Sequence, residues 1–165
     1  MKGCYLGRLS WDEAEPLFAR NLPIVLPIGA ASKEHGLHLP LENDRLLADG
    51  LTELLLQEVE AIALPTLTYG YYPAFVEYPG SVSLPAQVMT DTVVSICLCL
   101  HQQGARRFYG VNTGISTVRP LLAAQKVLEQ SGIPFLFLDI EKATGEVEKR
   151  LQTQAGGTHA DEMET

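Results

Sequence analysis

Leu22-Pro23-Ile24-Val25-Leu26-Pro27-Ile28-Gly29, followed three residues later by Lys33-Glu34-His35-Gly36-Leu37-His38-Leu39-Pro40-Leu41-Glu42-Asn43-Asp44, decides how this chain reads. The first run is rich in Val, Ile and Leu at successive positions, the pattern of a strand covered on both faces. The second gathers two imidazoles and three carboxylates, with a Gly and a Pro, where that strand gives way to a helix. Loops at such strand ends are where α/β enzymes carry their chemistry. A loop site is therefore the first expectation.

Outward from this stretch, strands and helices alternate. Ser10-Trp11-Asp12-Glu13 has the form of a capping box and opens a short helix to about Arg20, weakened by Pro16. From Asn43 the residues Leu46, Leu47, Leu51, Leu54, Leu55 and Val59 recur at helical spacing, with Asn43 or Asp44 as cap, and Ala61 to Leu64 forms a second short strand. Pro65 to Leu84 is a long segment holding most of the Tyr residues, a binding surface, a rigid wall over the core, or both. Ser83 caps and Pro85 opens a helix that ends at Gly104. Arg107 to Val111 reads as strand, Asn112 to Thr117 as a polar turn, Val118 to Gln130 as helix and Phe135 to Leu138 as strand. Glu141 to Gln154 is a charged helix, followed by a flexible Ala155-Gly156-Gly157. This alternation implies right-handed βαβ units and a layered α/β/α fold on a mostly parallel sheet.

Composition sets limits on function. A chain of 165 residues fits one domain, residues 1–165, and buries roughly two thirds of its unfolded surface without staples. A net charge of -8 argues against a nucleic-acid footprint, which needs clustered Lys and Arg. No apolar run reaches the ~20 residues that span a bilayer, and the N-terminus lacks a leader pattern, so a cytoplasmic protein is expected. Cys4, Cys97 and Cys99 are expected to be reduced core thiols.

Pro27-Ile28-Gly29, His35-Gly36-Leu37-His38-Leu39-Pro40 and Asp44 resemble the first signature of the creatininase family of amidohydrolases. Tyr69-Gly70-Tyr71, Pro79-Gly80-Ser81-Val82-Ser83-Leu84, Asn112 to Thr117 and His159 to Thr165 are similar to its later segments, in order. The resemblance implies a creatininase-like fold and hydrolysis of a C-N bond in a small linear or cyclic amide. It further implies a metal site, zinc or manganese, in a homo-oligomer. Family chains look longer and continue with helix after the last signature, so a fragment of a longer protein is an open reading.

By position, His35 and Asp44 take the family's His and bridging Asp roles in a two-metal site. The slot two before His35, where the family has Glu, holds Lys33, and Glu34 is adjacent to His35 instead. In the second signature Gly114 stands where a His ligand belongs and Ser116 where a Glu can occur. Three outcomes follow: one metal at Glu34, His35 and Asp44; a metal-free site in which the Lys33 ammonium pairs with Asp44; or a catalytically silent protein that binds a small molecule or partner. His159 and Glu164 match the family's proton-transferring His and its supporting Glu, and an imidazole suits acid and base work near neutrality. Tyr71, Asn112 and Ser116 are the candidates for substrate contact. His38 is expected to stabilise the turn, Glu42 to belong to the helix start and His101 to be exposed.

Overall fold

The computed structural model describes residues 1–154, 159–162 and 164. The Ala155-Gly156-Gly157 expectation lies outside them. Chain order is β1 (Cys4–Tyr5), a 3-10 turn (Leu6–Arg8), α1 (Trp11–Ala19), β2 (Ile24–Ile28), α2 (Asn43–Glu58), β3 (Ile62–Ala63), α3 (Ala86–Gln102), β4 (Phe108–Asn112), α4 (Val118–Gln130), β5 (Phe135–Phe137) and α5 (Ile140–Leu151). The strands form one sheet in the order β1-β3-β2-β4-β5, and every pairing is parallel. The expected α/β/α layering on a parallel sheet is what the chain adopts.

Alternation along β2 divides the core. Ile24, Leu26 and Ile28 pack with Met89, Val93 and Cys97 of α3 and Leu121, Ala124 and Leu128 of α4, joined by Phe18 of α1. Val25 packs on the other face with Leu56 of α2, Ala61, Ala63 and Val111. Each fully buried Ile or Leu here contributes about 1.5–3 kcal/mol through removal from water. Pro27 sits in this central strand because its face of the ladder has no partner to lose. The carbonyls of Val25 and Pro27 accept from Leu64 and Leu67, on the side where the two-residue β3 has already ended, so the missing N–H breaks no strand pairing.

The chain runs from β2 to β3 through α2 on one face and from β4 to β5 through α4 on the other. Connections from the adjacent strands β2 and β4 thus leave in opposite directions. A crevice opens at their C-terminal ends, the place where open α/β sheets take ligands.

Several local expectations change. The strand β1 was not foreseen, since two residues at a sheet edge carry no periodicity. Gly3 admits it: a Cβ there would lie 2.6 Å from the Ala61 carbonyl oxygen. Ser83 does not cap α3; Pro85 holds the cap position and the Ser83 hydroxyl accepts from the Tyr72 N–H. His101 is half-buried rather than exposed, with Nδ1 2.9 Å from the Ala105 carbonyl that follows the helix end. Of the thiols, Cys97 is buried as expected, Cys4 is intermediate and Cys99 is exposed.

Two outcomes follow from the packing. Gly29→Ala would set a Cβ 2.2 Å from the Asp44 carbonyl oxygen, and urea denaturation should show a loss of at least about 3 kcal/mol. Gly50, inside α2 with nothing within 4 Å of a built Cβ, should gain about 0.5–1 kcal/mol on changing to Ala. At the start of α1 the Ser10 N–H and then its hydroxyl donate to Glu13, holding that carboxyl below its ordinary value. A depressed carboxyl stabilises above its unfolded value and loses the effect as pH falls through the folded one. Wild type should therefore exceed Glu13→Gln in stability at neutral pH, and the gap should close under acid denaturing conditions.

Candidate functional site

The crevice is built around Gly29. Without a side chain, the end of β2 lets the first turn of α2 press against it, and the Arg45 N–H donates to the Ala30 carbonyl at 3.0 Å. From β4, the Thr113 hydroxyl donates to the Asp44 carbonyl at 2.9 Å. The backbone of Asp44 is thereby tied to both central strands. Asp44 does not cap its helix as expected; it lies in the first turn, with Glu42 at the cap position, and its carboxylate turns inward.

The loop between Gly29 and Glu42 is pinned along its length. The Ala31 N–H donates to Thr68, Val82 donates to the Ser32 carbonyl, the Lys33 N–H donates to Leu41, and the Glu34 N–H donates to the Ser81 hydroxyl. Gly36 takes φ +73°, a left-handed conformation that suits glycine. The long Pro65 to Leu84 segment thus acts as a wall for the site.

Inside this frame His35 is fully buried, with Nδ1 2.9 Å from the Lys33 carbonyl oxygen and Nε2 3.0 Å from Asp44 Oδ1. A carbonyl only accepts, so Nδ1 carries a hydrogen toward Lys33, and Nε2 is turned to the carboxylate at hydrogen-bond distance. Lys33 Nζ donates to Asp44 Oδ2 at 3.0 Å. Burial opposes ionisation of Asp44 more than any other single influence, yet the His35 contact and the Lys33 charge together outweigh it and hold the carboxyl below its ordinary value.

His159 comes from the far end of the chain and meets the same loop. Its Nε2 lies 3.0 Å from Glu34 Oε2, a residue 125 positions away, and its Nδ1 lies 3.6 Å from Glu164 Oε2. The Glu164 carboxylate also accepts from the Ala160 N–H, and Glu34 from the Gly36 N–H. The His159 contact, ahead of the Gly36 N–H, holds Glu34 below the ordinary carboxyl value against a desolvation that pushes the other way. The His35 and His159 ring centroids are 5.1 Å apart, and Phe75 stacks on His159 at 4.0 Å and 17°.

Most of the residues singled out in the sequence therefore converge, though in a different grouping. Glu34, His35 and Asp44 do not gather their ligand atoms at one point: Glu34 turns to His159, while Asp44 turns to His35 and Lys33. Glu34 and His35 are neighbours whose side chains point apart, and no bulge turns both to one point. Among the described residues, the ligand atoms that lie within 4.8 Å of one another belong to His35, His159 and Glu164. Asn112 is fully buried and its amide closes the β4–α4 turn, donating to the Gly114 carbonyl and accepting from Thr117 and the Gly114 N–H, so the side chain serves its own turn. Tyr71 is half-buried against the core, and Ser116 is half-buried on the same turn as Asn112. His38 is exposed, its ring 3.2 Å from where a Gly36 Cβ would lie, and Glu42 pairs with Arg45 at the helix start.

Two participants were not singled out. Phe75 holds the His159 ring from a φ of +68°, and the only advance signal was its place in the aromatic, Pro- and Gly-rich segment. Tyr72 is buried beside Gly114, its hydroxyl lacks a partner among the described residues, and burial followed by the Asp44 charge pushes its pKa up.

Comparison with known proteins agrees with this architecture. The creatininase family profile, described as creatinine amidohydrolase, matches residues 7–165. A creatinine amidohydrolase of Pseudomonas putida is 32% identical over 117 residues, 67% of this chain and 45% of that protein, so the chain spans under half the length of this relative. A tryptophan-to-alanine mutant of creatininase superposes with a TM-score of 0.79 at 27% identity, covering 99% of this chain and 71% of that one. A manganese creatininase gives 0.76 at 26% identity over 96% and 67%, and a glutamate-to-glutamine mutant of Zn-Zn type gives 0.75 at 26% over 95% and 67%. By its profile match and its shared fold, the chain belongs to the creatininase family.

Proposed function

We propose that this chain hydrolyses the C-N bond of a small linear or cyclic amide, in one domain of residues 1–165, with the help of one divalent cation, zinc or manganese. The observation that carries this reading is the meeting of His159 with Glu34 and His35 across 125 residues of sequence. An imidazole, two carboxylates and a buried second imidazole at the mouth of a parallel sheet match the needs of amide hydrolysis: a held proton carrier beside a cation-binding pair.

The donor set suits a cation. His35 gives its Nδ1 hydrogen to a backbone carbonyl, the arrangement that fixes a ligating imidazole, and its Nε2 faces Asp44 Oδ1 at 3.0 Å. A ring nitrogen and a carboxylate oxygen in that relation share a positive centre, which a proton or a metal ion can supply. His35 and Asp44 would hold the ion, with Glu164 within 4.8 Å of His35. When bound, a divalent cation supplies Lewis acidity to a carbonyl and to water.

The remaining steps belong to the chain. Glu34 and Glu164 flank the two ring nitrogens of His159 and orient the ring as it carries a proton to the leaving nitrogen. Phe75, with Tyr78 at 6.4 Å, gives the ring an apolar backing that limits water on that side. Half-buried Tyr71 and Ser116 remain candidates for substrate contact, while Asn112 acts by closing its turn. The reading carries with it a cytoplasmic, self-associating protein. Among the described residues no helix is long and apolar enough to cross a membrane, and exposed Leu46, Leu47 and Leu54 on α2 with Val147 and Leu151 on α5 offer apolar surface for a second copy.

A second reading, a metal-free member that binds its ligand without turning it over, is favoured by the Lys33 ammonium on Asp44.

Assay of the purified protein against a panel of small cyclic and linear amides, creatinine among them, should show hydrolysis that chelation abolishes and zinc or manganese restores. His159→Asn should lower kcat by about 10²- to 10⁴-fold while leaving the unfolding midpoint near wild type. Retained ligand binding with no hydrolysis under any metal would select the second reading. His35→Ala should weaken cation binding by about tenfold or more in calorimetric titration, and unchanged binding would show the cation site to lie elsewhere.

A further inference from the structure

Among the described residues, Asp44 is the one carboxylate in the crevice with both oxygens engaged by groups of the loop after β2. Its Oδ1 meets His35 Nε2 and its Oδ2 meets Lys33 Nζ, each at 3.0 Å, and the three side chains are 4%, 0% and 12% exposed. A carboxylate that bridges two metal ions must offer one oxygen to each. Here the second oxygen already faces a positive charge that cannot diffuse away. Lys33 is held by its own N–H to Leu41, and its carbonyl receives the His35 Nδ1 hydrogen, so one residue sets both the ring orientation and the ammonium position.

The opposite wall agrees. Gly114 occupies the position where the family signature places a His, and a Cβ there would lie 2.9 Å from Thr117 Oγ1, with the Tyr72 ring at 3.6 Å. The Asn112 amide is spent within the same turn. Neither Gly114 nor Asn112 thus offers a donor to a second ion from the β4 side, while a cation of the protein's own stands on the β2 side.

We propose that Lys33 is a built-in cation: its ammonium takes the place beside Asp44 that a second metal would hold, and limits this site to one divalent ion on the His35 side. The family includes a Zn-Zn creatininase at 26% identity, so the two arrangements are built on one fold. A divalent ion at Oδ2 would have to displace the ammonium within a space largely closed to water, where like charges repel with little screening. Each Asp44 oxygen keeps a cation beside it, one of them of single charge, while the metal requirement is halved. This inference rests on the single-cation reading above.

The wild-type chain, Lys33→Arg, Lys33→Gln and Lys33→Glu would be titrated with zinc and with manganese by calorimetry, and ions per chain counted by elemental analysis after dialysis. Wild type and Lys33→Arg should bind one ion per chain. Lys33→Glu, which puts a carboxylate where the family signature has one, should bind two, and its thermal midpoint should rise with added metal more than that of wild type. Should Lys33→Glu fail to fold, Lys33→Gln carries the test, admitting a second ion at higher free metal. Two ions in wild type, or a count unchanged in folded Lys33→Glu and Lys33→Gln, overturns the proposal. No ion in wild type with one gained in Lys33→Glu supports the role of Lys33 and overturns the single-cation reading instead.

Discussion

A carboxylate removed from water must be paired, and the arrangement of this crevice follows from how Asp44 meets that demand. Its backbone is locked between the ends of β2 and β4 by the Arg45 and Thr113 hydrogen bonds, and the absence of a side chain on Gly29 makes that seat possible. Once seated, the carboxylate is nearly closed to solvent and draws in Lys33 and His35. Leaving such a group unpartnered costs several kcal/mol, so the loop from Gly29 to Glu42 is constrained by electrostatics as much as by its backbone contacts.

The second layer of the site is assembled from distant parts of the chain. Glu34, which cannot share a ligand point with His35, is free to hold His159, and Phe75 supplies the surface on which that ring lies. The Pro65 to Leu84 segment contributes through Thr68, Ser81 and Val82, each bonded to the loop it covers. These bonds make the segment a wall along the loop, and Phe75 is its residue in contact with the His159 ring.

Much of the scaffold was legible. The helix Val118–Gln130 was read to the residue, because its apolar stripe is regular and Gly132 marks its end, and the buried strand before Gly29 was read from its continuous Val, Ile and Leu. Where local signals were weak or shared, the reading failed: β1 has two residues, Ser83 looked like a cap but serves Tyr72, and Asn112 looked available but is consumed by its own turn. Each of these depends on which of several equally suitable hydrogen-bond partners lies nearest in space, and spacing in sequence does not encode that.

The sequence by itself determined the layered parallel sheet, the family, and the place of a His- and carboxylate-rich loop at the end of a central strand. Period-2 and period-3.6 patterns and turn residues act locally and so can be read along the chain. Tertiary structure alone decided that Asp44 faces Lys33 and His35, that Glu34 faces His159, and that His35, His159 and Glu164 are the ligand atoms that converge. The physical reason is directional: on an irregular loop the projection of each side chain is set by individual φ and ψ angles, such as the +73° at Gly36, and its partner arrives from the far end of the fold.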